Sequence, residues 1–134
     1  MSDYEITNTI IGAQNISVTS TTQNHALGLI VQAVDRAATA YGAGEFVYLK
    51  GVASTVLGSF VTYNADDNST ALLAANAIGP VATAMSINVA SSYGWYQISG
   101  KAVGKAKASY ADNGLVFATS TAGSIDDAVV AGDR

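Results

Sequence analysis

The chain has 134 residues, the length of one domain, with no cysteine and only 12% charged residues against about 25% in ordinary soluble domains. Without cysteine, disulfides and thiolate metal sites are excluded. A net charge of −4 with six basic residues excludes the clustered cationic surface that nucleic acid requires. A surface this poor in charge and rich in Ala, Ser, Thr and Gly suits a protein covered by neighbours in an assembly.

From the start, Met1-Ser2-Asp3-Tyr4-Glu5 is acidic where a secretory leader would be basic, and no long apolar run follows. Ile6 to Val34 holds no Asp, Glu, Lys or Arg, only His25, and is rich in Thr, Asn, Gln and Ser. Residues 1–24 therefore read as an extended arm or edge strand, loosely held in a single chain and ordered on a partner. Residues 25–134 read as one β domain. Leu27–Val34 is strand-like, and Asp35–Gly44 is a connector.

Glu45-Phe-Val-Tyr-Leu-Lys50 is dense in aromatic and β-branched residues and predicts a strand. Gly58-Ser59 breaks the pattern, and Phe60–Tyr63 predicts the next strand. Asn64–Ser69 is a polar loop of residues that bond their own backbone in turns. Thr70–Ala75 could start a helix capped by Ser69, but the run is short and Gly79-Pro80 follows, which favours a strand.

Val81–Val89 is a further strand candidate. In Gly94–Val103, Tyr96 and Ile98 share one face while Trp95, Gln97 and Val103 share the other, the alternation of a strand. Asn113-Gly114 between Ala108–Ala111 and Leu115–Ala118 predicts a hairpin, because a type I′ turn needs positive φ at both central positions. Thr121–Ser124 marks another turn, and Val129-Val130 begins a last strand. The charge-free run Asn68–Gly100 is interrupted by Asn76, Gly79, Pro80 and Asn88, which excludes a membrane-spanning helix.

No reaction centre emerges. His25 is the only histidine, and there is no Gly-x-Ser-x-Gly motif to pair with it. One histidine and no cysteine exclude the usual zinc sites. Asp66-Asp67-Asn68 and Asp126-Asp127 lack the spacing of a calcium loop. Gly100-Lys-Ala-Val-Gly-Lys105-Ala106 fails as a phosphate loop, since three residues separate the glycines and Ala106 replaces the required Ser or Thr. No cofactor is expected, and Trp95 and Tyr96 read as packing anchors before a ligand-stacking platform.

Three stretches carry a family resemblance: Gly44-Glu-Phe-Val-Tyr-Leu-Lys-Gly-Val52, Ile78-Gly-Pro-Val-Ala82 and Tyr93-Gly-Trp-Tyr-Gln-Ile-Ser-Gly-Lys-Ala-Val103. With the close Asp127-Ala-Val-Val-Ala-Gly-Asp133, they resemble the capsid decoration (cement) proteins of tailed bacteriophages, from about Leu27 onward. The resemblance implies a small β-barrel or β-sandwich, an all-β fold, with an extended N-terminal arm. It implies a non-enzymatic virion protein, made in the host cytoplasm, that binds the outer surface of the head and bridges major capsid protein subunits, often as a homotrimer. The candidate capsid or subunit interface is then Ile6, Ile10, Ile11, Ile16 and Val18 of the arm, with Trp95 and Tyr96. Two other readings stay open: a phage tail or fibre component, and a carbohydrate-binding module stacking sugars on Trp95 and nearby tyrosines.

Overall fold

A computed structural model describes residues 4–7, 12–36, 41–111, 113–129 and 131. The strands among them are β1 (Tyr4–Ile6), β2 (Ile30–Asp35), β3 (Ala43–Lys50), β4 (Phe60–Tyr63), β5 (Thr70–Leu72), β6 (Val81–Ala84), β7 (Tyr93–Ser99), β8 (Phe117–Ala118) and β9 (Ile125–Asp126). No helix occurs among the described residues. Seven strands form one sheet in the order β1-β2-β3-β7-β6-β4-β5, every pair antiparallel, and β8 pairs with β9 apart from it. The fold is all-β, as the sequence predicts, but the sheet is not a closed barrel: β1 and β5 remain its two edges.

The central pair explains the apolar runs. Tyr48 faces Trp95 across β3 and β7, and Val47 faces Tyr96 one step along. Successive residues of a strand point to opposite faces, so both faces of this pair are buried and both strands read as nearly continuous apolar sequence. One face gathers Phe46, Tyr48 and Trp95 with Val31, Ala33, Met85 and Tyr4. The other gathers Val47, Leu49 and Tyr96 with Val61, Ala82 and Ala84. The register shifts between Glu45 and Phe46, whose partners are Ser99 and Gln97, so Ile98 is an extra residue and β7 bulges there.

Each face has its own cover. Residues 12–29 lie over the Trp95 face, where Ile16, Leu27 and Leu29 pack. The sheet covers the Tyr96 face by curling. Thr70 Oγ1 on the edge strand β5 donates to Lys50 O at the end of β3, 2.7 Å away. That contact brings the two ends of the curl together through a side chain and leaves the barrel open.

Several boundaries differ from expectation. The strand expected through Val103 ends at Ser99 because Gly100 turns the chain at φ 97°. An alanine there would place its Cβ 2.7 Å from Ala43 O and 3.0 Å from the Gly44 Cα. Gly100→Ala is therefore expected to lower stability by about 1–3 kcal/mol, the scale of a strained backbone site. A lower urea midpoint at unchanged slope checks this.

The Asn-Gly turn is present: Asn113 has φ 61°, and Gly114 N–H donates to Ala111 O at 3.0 Å. It joins no hairpin, however. Residues 101–109 are exposed throughout, so no buried face selects a strand register. Their backbone bonds go elsewhere, from Lys105 N to Gly58 O and from Lys107 N to Ile125 O. Phe117–Ala118 pairs instead with Ile125–Asp126 across the Thr121–Ser124 turn. Val129 lies in no strand, and Val130 falls outside the described residues.

Candidate functional site

Gln14 is the point where the N-terminal segment meets the sheet. Its carbonyl accepts from Trp95 Nε1 at 2.9 Å, and its N–H donates to His25 Nε2 at 2.9 Å. Its side-chain oxygen accepts from Tyr48 Oη at 2.9 Å and from Asn24 Nδ2 at 2.8 Å. Its side-chain nitrogen donates to Val18 O and Tyr93 O at 2.7 and 3.2 Å. Every polar group of this buried residue is satisfied, which burial demands. Just beyond, Ser20 and Tyr93 exchange backbone bonds at 3.0 and 2.7 Å.

Of the reading of residues 1–24 as an extended arm or edge strand, the edge strand is present as β1, while this contact ties down the segment expected to be loose. β1 is an edge strand paired with β2, and Ile16 is 1% exposed inside the Trp95 cluster. A Thr/Asn/Gln/Ser composition looks unable to hold itself in place, but one glutamine with six bonds supplies the attachment that apolar side chains did not advertise. The candidate interface shifts with it. Ile16, Trp95 and Tyr96 are core residues with no surface to offer a partner, and half-buried Ile6 packs on the same core. Only Val18, 49% exposed, keeps a surface position, while Ile10 and Ile11 lie outside the described residues. With Trp95 fully buried, sugar stacking on its face is also excluded as the chain stands.

On the opposite face Tyr96 is closed in by Asn88. The Asn88 amide oxygen takes hydrogen bonds from Gly94 N–H and Tyr96 Oη, and its nitrogen donates to Ser92 O. Burial pushes the Tyr96, Tyr48 and Tyr4 phenols above their ordinary value. At Tyr4 the Asp35 charge adds to this, while the hydrogen bond from Asn24 N–H at Tyr48 opposes it.

Below about pH 10 these phenols are protonated in both states; above it the unfolded chain releases protons that the folded chain retains. The contribution of these three phenols to stability is therefore expected to be level up to about pH 10 and to fall as pH rises further. Melting temperatures across that range check it, with phenolate absorbance from the three residues appearing at higher pH in the folded chain than in the unfolded one.

Charged residues are absent from long stretches of the chain. Segments 12–34, 51–65 and 68–100 contain no Asp, Glu, Lys or Arg. The three meet where loop 51–59 runs beside residues 84–92, tied by Val52 N to Asn88 O and by Gly58 N to Ala84 O. A groove of about 440 Å³ opens there between Tyr4, Ser17, Thr19, Leu57, Met85 and Ile87. Leu57 and Ile87 are 52% and 64% exposed, and Val56 and Val89 in the same two loops are exposed as well. Scattered surface hydrophobics need no account; here they cluster beside Ser17 and Thr19 in uncharged segments, which makes the groove the candidate contact surface. Leu57 and Ile87 are the residues that sequence reasoning missed; their only signal was the absence of charge around them.

Among the described residues no group of three or more His, Cys, Asp or Glu stands close enough to hold a metal. No helix of the described residues is long and apolar enough to cross a membrane. Compared with known proteins, the chain matches no family model, no curated protein and no solved structure.

Proposed function

We propose that the chain is a structural protein of a tailed-bacteriophage head, bound to the outer surface of the capsid and bridging major capsid protein subunits. The observation that carries the assembly part is the uncharged groove around Leu57 and Ile87. Burying such a face against another protein gains roughly 25 cal/mol per Å² of apolar surface without stranding a charge. The head as the site of assembly rests on the resemblance of Gly44–Val52, Ile78–Ala82 and Tyr93–Val103 to capsid decoration proteins. The mechanism is linkage: a bridge that forms only between assembled subunits stabilises the assembled state by mass action. Self-association into a trimer belongs to the same reading.

Mass spectrometry of heads separated from tails, from the virus that encodes the chain, tests it. The chain is expected in the head fraction, and Leu57→Asp with Ile87→Asp is expected to remove it while the purified variant keeps its melting temperature. Recovery in the tail fraction would move the function to the tail or fibre. Undiminished loading of the variant would clear the groove of any part in attachment.

A further inference from the structure

The bond between Gln14 and His25 fixes the protonation state of the ring. Gln14 N–H donates to His25 Nε2 at 2.9 Å. A ring nitrogen that accepts carries no proton, so the docked segment requires neutral imidazole with its hydrogen on Nδ1. The ring packs edge-on to Tyr48, with centroids 5.0 Å apart, and tilts against Trp95 at 5.5 Å. It remains half-buried, so solvent protons reach it.

Its surroundings offer an imidazolium no help. The titratable groups packed around it are the Tyr48 phenol on β3 and, stacked behind that at 6.4 Å, the Tyr93 phenol on β7. Segment 12–34 and β7 contribute no charged residue. β3 contributes Glu45 and Lys50 near its two ends, and Lys50, on the same face as Tyr48, is a cation. Protonation at Nε2 would set a second donor against the Gln14 N–H and leave that buried N–H without an acceptor.

We infer that His25 is an acid-sensitive latch on the N-terminal segment: a solvent proton taken up at Nε2 breaks the bond to Gln14 and loosens residues 12–25 from Trp95 and Tyr48. The loosening spreads because the bond to His25 and the bonds from Trp95 and Tyr48 all end on the same residue, Gln14. Raising the pH returns the proton to solvent and closes the latch again. Imidazole is the one ordinary side chain that changes charge between about pH 5 and pH 8, and His25 is the only histidine in the chain.

The test is amide hydrogen exchange by NMR on the whole chain, expressed as protection factors so that the intrinsic pH dependence of exchange drops out. Between about pH 8 and pH 5, protection of the Gln14 amide and the Trp95 indole N–H is expected to fall by roughly tenfold, the worth of one buried hydrogen bond. Amides of the β3–β7 ladder keep theirs. His25→Gln supplies an acceptor oxygen that does not titrate, and its protection is expected to stay level. Unchanged protection in the native chain, or an equal fall in His25→Gln, would overturn the inference. Imidazole ¹⁵N shifts give a second reading that needs no variant: a proton on Nε2 near neutral pH would sink the idea directly.

Discussion

Deleting residues 1–24 is expected to leave a chain that cannot fold to a soluble monomer. The deletion removes Tyr4, Ile6 and Ile16 from the cluster on the Trp95 face and all six bonds made by Gln14. Each buried large apolar side chain contributes about 1.5–3 kcal/mol. Buried Tyr4 and Ile16, with half-buried Ile6 and the bonds of Gln14, approach the 5–15 kcal/mol that holds a whole domain together. Phe46, Tyr48 and Trp95 would then face water across the centre of the sheet. Size-exclusion chromatography and near-ultraviolet circular dichroism read the result: aggregate, or loss of the aromatic signal. A soluble truncated chain with its melting temperature unchanged is what a loosely held arm predicts, and would show that the packing of this segment adds nothing.

Trp95→Ala is expected to cost about 3–5 kcal/mol, the usual consequence of emptying a buried site of this size. Trp95 is fully buried, with Tyr48 at 5.0 Å edge-on and His25 beside it. The substitution also strips Gln14 O of its indole donor, which adds the penalty of a buried carbonyl left unpaired. Trp95→Phe separates the two parts, because it keeps much of the ring packing while removing the N–H. Its cost should be nearer 1–2 kcal/mol beyond the lost ring volume, within the range of a single buried hydrogen bond. Urea unfolding followed by far-ultraviolet circular dichroism measures both. Equal losses for Ala and Phe would show that the bond to Gln14 dominates the site.

Strands were legible in the sequence where two buried faces forced an unbroken apolar run. Phe46–Leu49 and Trp95–Tyr96 announce themselves in this way, and Phe60–Tyr63 matches its strand at both ends. Ala108–Ala111 carries the composition of a strand without the burial that selects one, and the structure leaves it out of every sheet. The N-terminal segment was misread for another reason. Its attachment runs through a glutamine whose partners, Tyr48 and Trp95, lie far along the chain, so no local pattern marks it. Ile16 sits among polar residues and looks superficial, yet it is buried; Leu57 and Ile87 sit in loops, where apolar residues have no period to reveal which way they face. The candidate site was accordingly less legible than the fold.

The order of strands also governs when folding can begin. β3, inside the sheet, takes β7 as its neighbour, so residues 51–92 must be made before Tyr48 meets Trp95. Chains dominated by pairings distant in sequence fold slowly. On the ribosome, at about 5–20 residues per second, Phe46–Leu49 waits several seconds with its aromatic and aliphatic side chains unsheltered. During that interval the strand is an adhesive segment, and a nascent chain stalled before Ser99 is the form of this protein most exposed to aggregation and to chaperones.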